Sequence, residues 1–314
     1  MYFIDFFKGL FNKSHIGTII WMVLNLSLIC AAFAFLASEM DYGIGAGIAF
    51  GAIAYFLSLL AALSPIGEFI LRFQTGCKKV EKNPNIEARL RPIFDEVYAN
   101  AKAKNPSLSN NVKLYVNVND SPNAFATGSS TVCVTTGLLS LSDSDIKGVL
   151  GHEFGHLAHK DTYLLQAISV GNLFISVIFF VIKLIIDGII FFTRLILHSA
   201  IDSFIGHVLM WIFGSLSKVI VDGLLMLIMA LWTRLGIAIC MASSRSQEYE
   251  ADKYSCELGY GRFLAHALNS FSGKTYGYRT LWAAISSSHP DTVDRISRIN
   301  AFLANLGTDL SKYA

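Results

Sequence analysis

Charge is the first thing this chain lacks. Its 314 residues carry 25 Lys+Arg and 23 Asp+Glu, 15% of the total, where an ordinary soluble domain has about 25%. With hydrophobic residues at 53% and a mean hydropathy of +0.50, this argues against a disordered chain, a charged solenoid and a fully soluble enzyme. An excess of one sign is missing too: a net charge of +2 is too near neutrality to expect a nucleic-acid partner. The cysteines Cys30, Cys77, Cys133, Cys240 and Cys256 form no CxxC pair and keep no regular spacing. Scattered in this way, they fit reduced, buried thiols better than a disulfide framework or a thiolate metal site. There is no internal repeat and no low-complexity tract.

The shortage is local. Residues 65–161 hold 21 charges and residues 243–314 hold 15, so 36 of the 48 lie in these two segments. The rest of the chain is apolar in blocks. Ile16–Ala37 and Gly43–Leu63 are uncharged runs of about 20 residues, the length a helix needs to cross some 30 Å of hydrocarbon. The short link between them carries Glu39 and Asp41, which predicts a helical hairpin. Lys8 and Lys13 precede it, and Arg72, Lys78, Lys79 and Lys82 follow it, which places both ends in the cytoplasm. Ala32-Phe33-Ala34 resembles a signal-peptide cleavage site, the rival reading, but a second span follows five residues after the first. A third apolar region, 162–242, predicts spans at about 162–182 and 219–241, leaving 192–216 as an amphipathic hairpin, an interfacial helix or part of a longer span. Within it, Lys183/Asp187 and Lys218/Asp222 are spaced i,i+4, close enough to neutralise each other on a helix face.

The soluble segments read as helix over 84–105, strands at Leu114–Val118 and Thr131–Thr135, and a helix opened by Ser142-x-x-Asp145, which resembles a capping box. That last helix carries His152-Glu153-Phe154-Gly155-His156. At 3.6 residues per turn the two histidines stand one above the other and can share a metal ion. Glu153 lies beside them as a base for a water whose pKa zinc would bring toward about 7. A third protein ligand is needed. His159 lies seven residues from His152, a rise of about 10.5 Å, too far for one tetrahedral centre, and the chain has Thr162 where the metzincin pattern wants histidine. The ligand must come from elsewhere, and the best candidate is the stretch 244–252, SRSQEYEAD. There Glu248 and Asp252 share one helix face while Glu250 points away. Glu248 can bind the metal while Asp252 accepts the free N–H of a ligating histidine. Glu248 must then lie on the same side of the membrane as His152, so the chain between them crosses an even number of times.

HEFGH, the downstream SR-x-x-E-x-x-AD, Asn123-Ala124-Phe125-Ala126-Thr127-Gly128, and Ser288-His289-Pro290 followed by Arg295-Ile296 together resemble the HtpX-type membrane zinc metalloproteases, which are related to the CAAX prenyl endopeptidases. The order of the motifs and the flanking hydrophobic hairpins match as well. The resemblance implies one Zn2+ held by His152, His156 and Glu248, with Glu153 as general base. It implies that Asn123, Ala124 and Phe125 lie on or beside the edge strand of the cleft, where an extended peptide can add by main-chain hydrogen bonds. It also implies a histidine near the zinc at His289, to stabilise an oxyanion or donate a proton; capping the next helix before Pro290 is the other role open to it. Arg295 reads as structural.

The expected architecture is an α-helical membrane protein with a mostly helical, α+β, zincin-like metalloprotease domain carrying a small β-sheet. Its parts are a transmembrane hairpin (1–64), the first catalytic segment (65–161), a second transmembrane region (162–242) and the second catalytic segment (243–314). The expected activity is zinc-dependent endopeptidase on the cytoplasmic side of a bacterial inner membrane, acting on misfolded membrane proteins. A dedicated processing protease like the CAAX enzymes and a non-catalytic metal-binding scaffold are the alternatives, and an intact Glu153 argues against the scaffold.

Overall fold

The computed structural model describes residues 6, 16–200, 203–271 and 292–310. Two apolar helices come first, α1 (Ile16–Glu39) and α2 (Ile44–Ala62), matching the expected hairpin. Asp41 and Gly43 take positive φ at the turn between them. The helices pack closely because α2 presents glycine to α1: a Cβ on Gly47 or Gly51 would strike the backbone of Ala34 or Cys30, the small-residue contact that lets membrane helices approach.

Ser64 caps the next helix, α3 (Pro65–Gln74), its hydroxyl accepting from the Ile66 N–H, with Pro65 at the first position. Helix α3 buries Gly67, Glu68 and Leu71 and leaves Ile66, Phe69 and Phe73 exposed. After it come strand β1 (Lys78–Lys79), a short 3-10 turn and α4 (Pro84–Lys104). The apolar stripe Leu90, Ile93, Phe94 and Val97 turns α4 onto the sheet.

The sheet has four strands in the order β1-β2-β4-β3, with β2 at Lys113–Asn117, β3 at Ala124–Thr127 and β4 at Thr131–Thr135. Strands β2 and β4 run parallel, with Leu114 opposite Val132, while β1 and β3 add antiparallel at the two edges. The β4 prediction matches residue for residue. Strand β2 starts and ends one residue earlier than expected, because Val118 is exposed rather than part of the buried alternation. The two-residue β1 was not foreseen, as nothing in Lys78-Lys79 alternates.

Ser142 then caps α5 (Asp143–His159) by accepting from the Asp145 N–H, and Lys160 ends the helix in the left-handed conformation. Two long helices follow, α6 (Thr162–Ala200) and α7 (Phe204–Glu257). The stretches 162–182 and 219–241, expected as spans, are helical within them; in the stretch that sequence alone left open, residues 192–200 end α6 and residues 204–216 begin α7. Among the described residues, three stretches are long and apolar enough to cross a membrane: Ile16–Glu39, Ile44–Ala62 and Ile205–Gly236. The last begins earlier than the expected 219–241, since the chain is already helical from Phe204. Helices α8 (Gly261–Phe271) and α9 (Thr292–Leu310) complete the described chain.

The chain divides into two units, Met1–Val170 with Ile239–Ala314, and Gly171–Ala238. The core of the first unit joins α4 (Phe94), the sheet (Val132, Val134), α5 (Leu150, Phe154), the end of α7 (Tyr254) and α8 (Leu264). In the second unit the i,i+4 pair Lys183–Asp187 forms at 3.0 Å. Lys218 and Asp222 instead reach across to the other helix, Lys218 to Asp187 at 3.5 Å and Asp222 to Lys183 at 2.5 Å.

Candidate metal centre

Glycine brings the distant carboxylate to the histidines. On α5, Gly148, Gly151 and Gly155 follow a helical stripe; the last turns of α7 lie against Gly151 and Gly155, and α8 lies against Gly148. A Cβ on Gly155 would fall 2.8 Å from the Ala251 Cα, and one on Gly151 would fall 2.8 Å from the Ser255 Oγ. Two helices with such an interface approach closely, so Glu248, one turn before Ala251, reaches the Nε2 ends of His152 and His156. The glycine spacing inside GVLGHEFGH was a legible signal for this contact, and the sequence reading passed over it.

The three expected ligands converge. The Nε2 atoms of His152 and His156 are 3.2 Å apart, the Glu248 Oε2 is 3.4 Å from the first, and the Glu248 Oε1 is 3.5 Å from the second. In a tetrahedral centre with bonds of about 2.0–2.1 Å, neighbouring ligand atoms stand about 3.3 Å apart. The triangle has that size, and two imidazoles with one carboxylate are a donor set suited to a catalytic zinc. The residues therefore fit the ion. His159, excluded by its helical rise, instead turns its ring edge-on to Tyr254.

Each of the two histidines has its other nitrogen held by an acid. Asp252 accepts from the His152 Nδ1 at 2.8 Å, as expected. Asp161 does the same for the His156 Nδ1 at 3.2 Å, a residue the sequence reading missed. Asp161 becomes available because Lys160, at φ 66°, turns the chain back on the end of the helix. Such carboxylate–imidazole pairs set the tautomer that leaves Nε2 as the electron-pair donor.

Arg295 on α9 completes the surround. It donates to both oxygens of Asp252, Nε to Oδ2 at 2.9 Å and Nη2 to Oδ1 at 2.6 Å, and its Nη1 lies 3.6 Å from the Glu248 Oε2. In this position it holds the acid that holds His152. Burial would raise the Asp252 pKa, but the bonds from His152 and Arg295 outweigh that and bring it down to about 2. His152, Glu153, Asp252 and Arg295 are all 3–5% exposed, so these interactions operate with little screening by water.

Glu153 does not point at the ligand triangle from open solvent. Its Oε2 accepts the Ala126 N–H at 2.7 Å. Ala126 is in β3, an edge strand whose other side is taken by β4. The Asn123 carbonyl accepts from the Thr135 N–H on β4, so with the strand period of two Ala124 and Ala126 direct their main-chain groups to the open edge. The stretch containing Asn123, Ala124 and Phe125 therefore runs into an edge strand next to the ligands. His289 lies outside the described residues.

A profile of peptidase family M48 matches residues 84–303 of the chain. Protease HtpX of Legionella pneumophila (strain Lens) is 30% identical over 230 residues, covering 60% of this chain and 69% of that protein. A protease HtpX homolog of Caldanaerobacter subterraneus subsp. tengcongensis is 27% identical over 314 residues, covering 90% of this chain and 94% of that protein. Among solved structures, Ste24p of S. mikatae superposes with a TM-score of 0.43 at 18% identity, covering 87% of this chain and 62% of that one.

Proposed function

We propose, since this chain belongs to peptidase family M48, that it is a membrane-embedded zinc endopeptidase whose catalytic segments face the cytoplasm. The observation that carries the reading is the triangle of His152, His156 and Glu248 with the buried Glu153 carboxylate beside it. A zinc ion held there would supply Lewis acidity and bring the pKa of a water toward neutrality.

The chain's own residues do the rest. An extended polypeptide adds to the open edge of β3 through main-chain hydrogen bonds, which aligns its scissile carbonyl along the strand and asks little of its side chains. Glu153 takes a proton from the attacking water and passes it to the departing amine nitrogen. The Ala126 N–H keeps that carboxylate pointed. Asp252 and Asp161 hold the two imidazoles in place, and Arg295 balances the acidic side of the site. His289 is the candidate to stabilise developing negative charge on the carbonyl oxygen.

Recognition by main chain suits substrates that share no sequence, and we assign misfolded membrane proteins to this role. Two features support the cytoplasmic orientation: the basic residues Arg72, Lys78, Lys79 and Lys82 after the first hairpin, and the acidic Glu39 and Asp41 at its tip. The test uses the full chain in detergent micelles or proteoliposomes. Glu153→Gln is expected to keep one zinc per chain and lose cleavage of an unfolded membrane-protein substrate. Undiminished cleavage in that variant would remove Glu153 from the mechanism.

A further inference from the structure

The chemistry above leaves the buried carboxylate of Glu68 unused. Glu68, in the first turn of α3, is 1% exposed, and burying an ionised carboxylate is costly unless its oxygens are well occupied. They are occupied by the turn that joins β3 to β4, by the first residue of β4 and by Arg72 of its own helix. Oε1 accepts from the Ser130 hydroxyl at 2.8 Å and the Thr131 hydroxyl at 2.5 Å. Oε2 receives the Ser129 N–H at 3.4 Å. Arg72, one helical turn further along α3, pairs with Oε1 at 3.2 Å and donates to the Thr131 Oγ1 at 2.9 Å.

The turn is shaped around this carboxylate. Gly128 has φ +61°, and a Cβ there would run into the Glu68 side chain. From the opposite direction the Thr162 hydroxyl at the start of α6 donates to the Gly128 carbonyl. Gln166, one turn later on α6, donates to the Ala62 and Ser64 carbonyls at 2.6 and 3.0 Å. Those two carbonyls lie where α2 hands over to α3. The β3–β4 turn is therefore tied to the end of the membrane hairpin through Glu68 and through α6. Two residues before the turn, Ala126 donates to Glu153.

We propose that Glu68 is a positioning residue that couples the first membrane hairpin to the placement of edge strand β3, and through it to peptide binding. The inference rests on the peptidase reading for its functional consequence. Its structural content is that a buried charge, rather than sheet hydrogen bonding alone, fixes where the strand sits. A hairpin strand with one partner and an open edge is weakly specified in position. Four hydrogen-bonding groups gathered on one carboxylate supply what the missing neighbour strand does not.

Glu68→Gln keeps the shape but replaces one acceptor oxygen by an NH2 group, which cannot accept a hydrogen bond, and removes the charge that pairs with Arg72. For the zinc-loaded full chain in micelles, with an eight-residue fluorogenic peptide, we expect KM to rise about tenfold, corresponding to about 1.4 kcal/mol. We expect kcat to fall by less than about threefold, within the range of one weakened hydrogen bond. Zinc stays at one per chain, and amide exchange accelerates in 124–131 while α4 and α5 keep their protection. Thr131→Val, which retains the carboxylate and removes one donor, gives the same pattern at smaller amplitude and serves if Glu68→Gln does not fold. Unchanged KM, lost zinc, or loosened exchange across the whole catalytic segment would each overturn the proposal. A wild-type chain that cleaves no peptide would overturn the peptidase reading instead, and the exchange rates would then decide the coupling on their own.

Discussion

Charged groups occur in both structural units, and the two units accommodate them in opposite ways. Around the ligand triangle they are buried, and a dense net of hydrogen bonds satisfies them: Asp252 alone is bound by His152 and by two nitrogens of Arg295. In the unit Gly171–Ala238, Lys183, Asp187, Lys218 and Asp222 are 27–49% exposed and pair with one another across and along the two helices. Around them Ile185, Ile189, Phe192, Trp211 and Leu224 are turned outward. The first arrangement orients groups for chemistry. The second cancels charge so that an otherwise apolar pair of helices can enter lipid. Burial by protein and burial by membrane thus make different demands: the first needs directional partners, the second needs neutrality.

Substitutions in each unit should therefore fail in different ways. The largest effect belongs to the ligands and the base. Glu248→Ala should abolish stoichiometric zinc, and Glu153→Gln should cost about 10²–10⁴ in kcat with zinc retained; metal analysis beside a cleavage assay separates them. Next come the acids behind the histidines. Asp161→Ala and Asp252→Ala should each weaken zinc binding by about 10–100-fold, read by competition with a chromogenic chelator, and Asp252→Ala should do so more strongly because it also strands Arg295.

A smaller effect is expected from the second unit. Lys183→Leu leaves Asp222 without its cross-helix partner and should lower the thermal midpoint in micelles by about 2–4 °C at full zinc occupancy. A variant that lost zinc would erase the contrast between the two units. The smallest effect concerns α9. Asp294 accepts from Tyr249 and pairs with Arg298, which lowers its pKa below the usual carboxylate value. A depressed pKa means that its contribution is complete above the unfolded value and is lost only as pH falls through the folded one. Exchange protection of 292–306 should therefore be the same at pH 8 and pH 5 and weaken only below about pH 4.

The contrast also explains what the sequence could disclose. Apolar runs and HEFGH are local patterns, so the first hairpin, helix α5 and the relation of His152 to His156 were all legible before any coordinates. Glu248 and Asp252 were legible as an i,i+4 pair, because a ligand and its neighbour's support share one helix face. Asp161 was not, since its contact depends on the left-handed turn at Lys160 rather than on spacing. Nor was the Ala126 N–H, a main-chain group identical in every residue but proline. Nothing in the sequence singles out Glu68, and only the fold brings it to a turn about 60 residues away. Long-range polar contacts leave little periodic trace, whereas apolar faces do.

The 96 residues from His152 to Glu248 set a schedule as well as a distance. During synthesis the histidines emerge first, followed by more than eighty residues of greasy chain, and only then the carboxylate. At about 5–20 residues per second, several seconds pass in which the proposed centre has two of its three candidate protein ligands. Arg295, which steadies Asp252 from the far end of the chain, arrives later still. A half-made copy thus carries an incomplete centre, and the blade is assembled only after the handle.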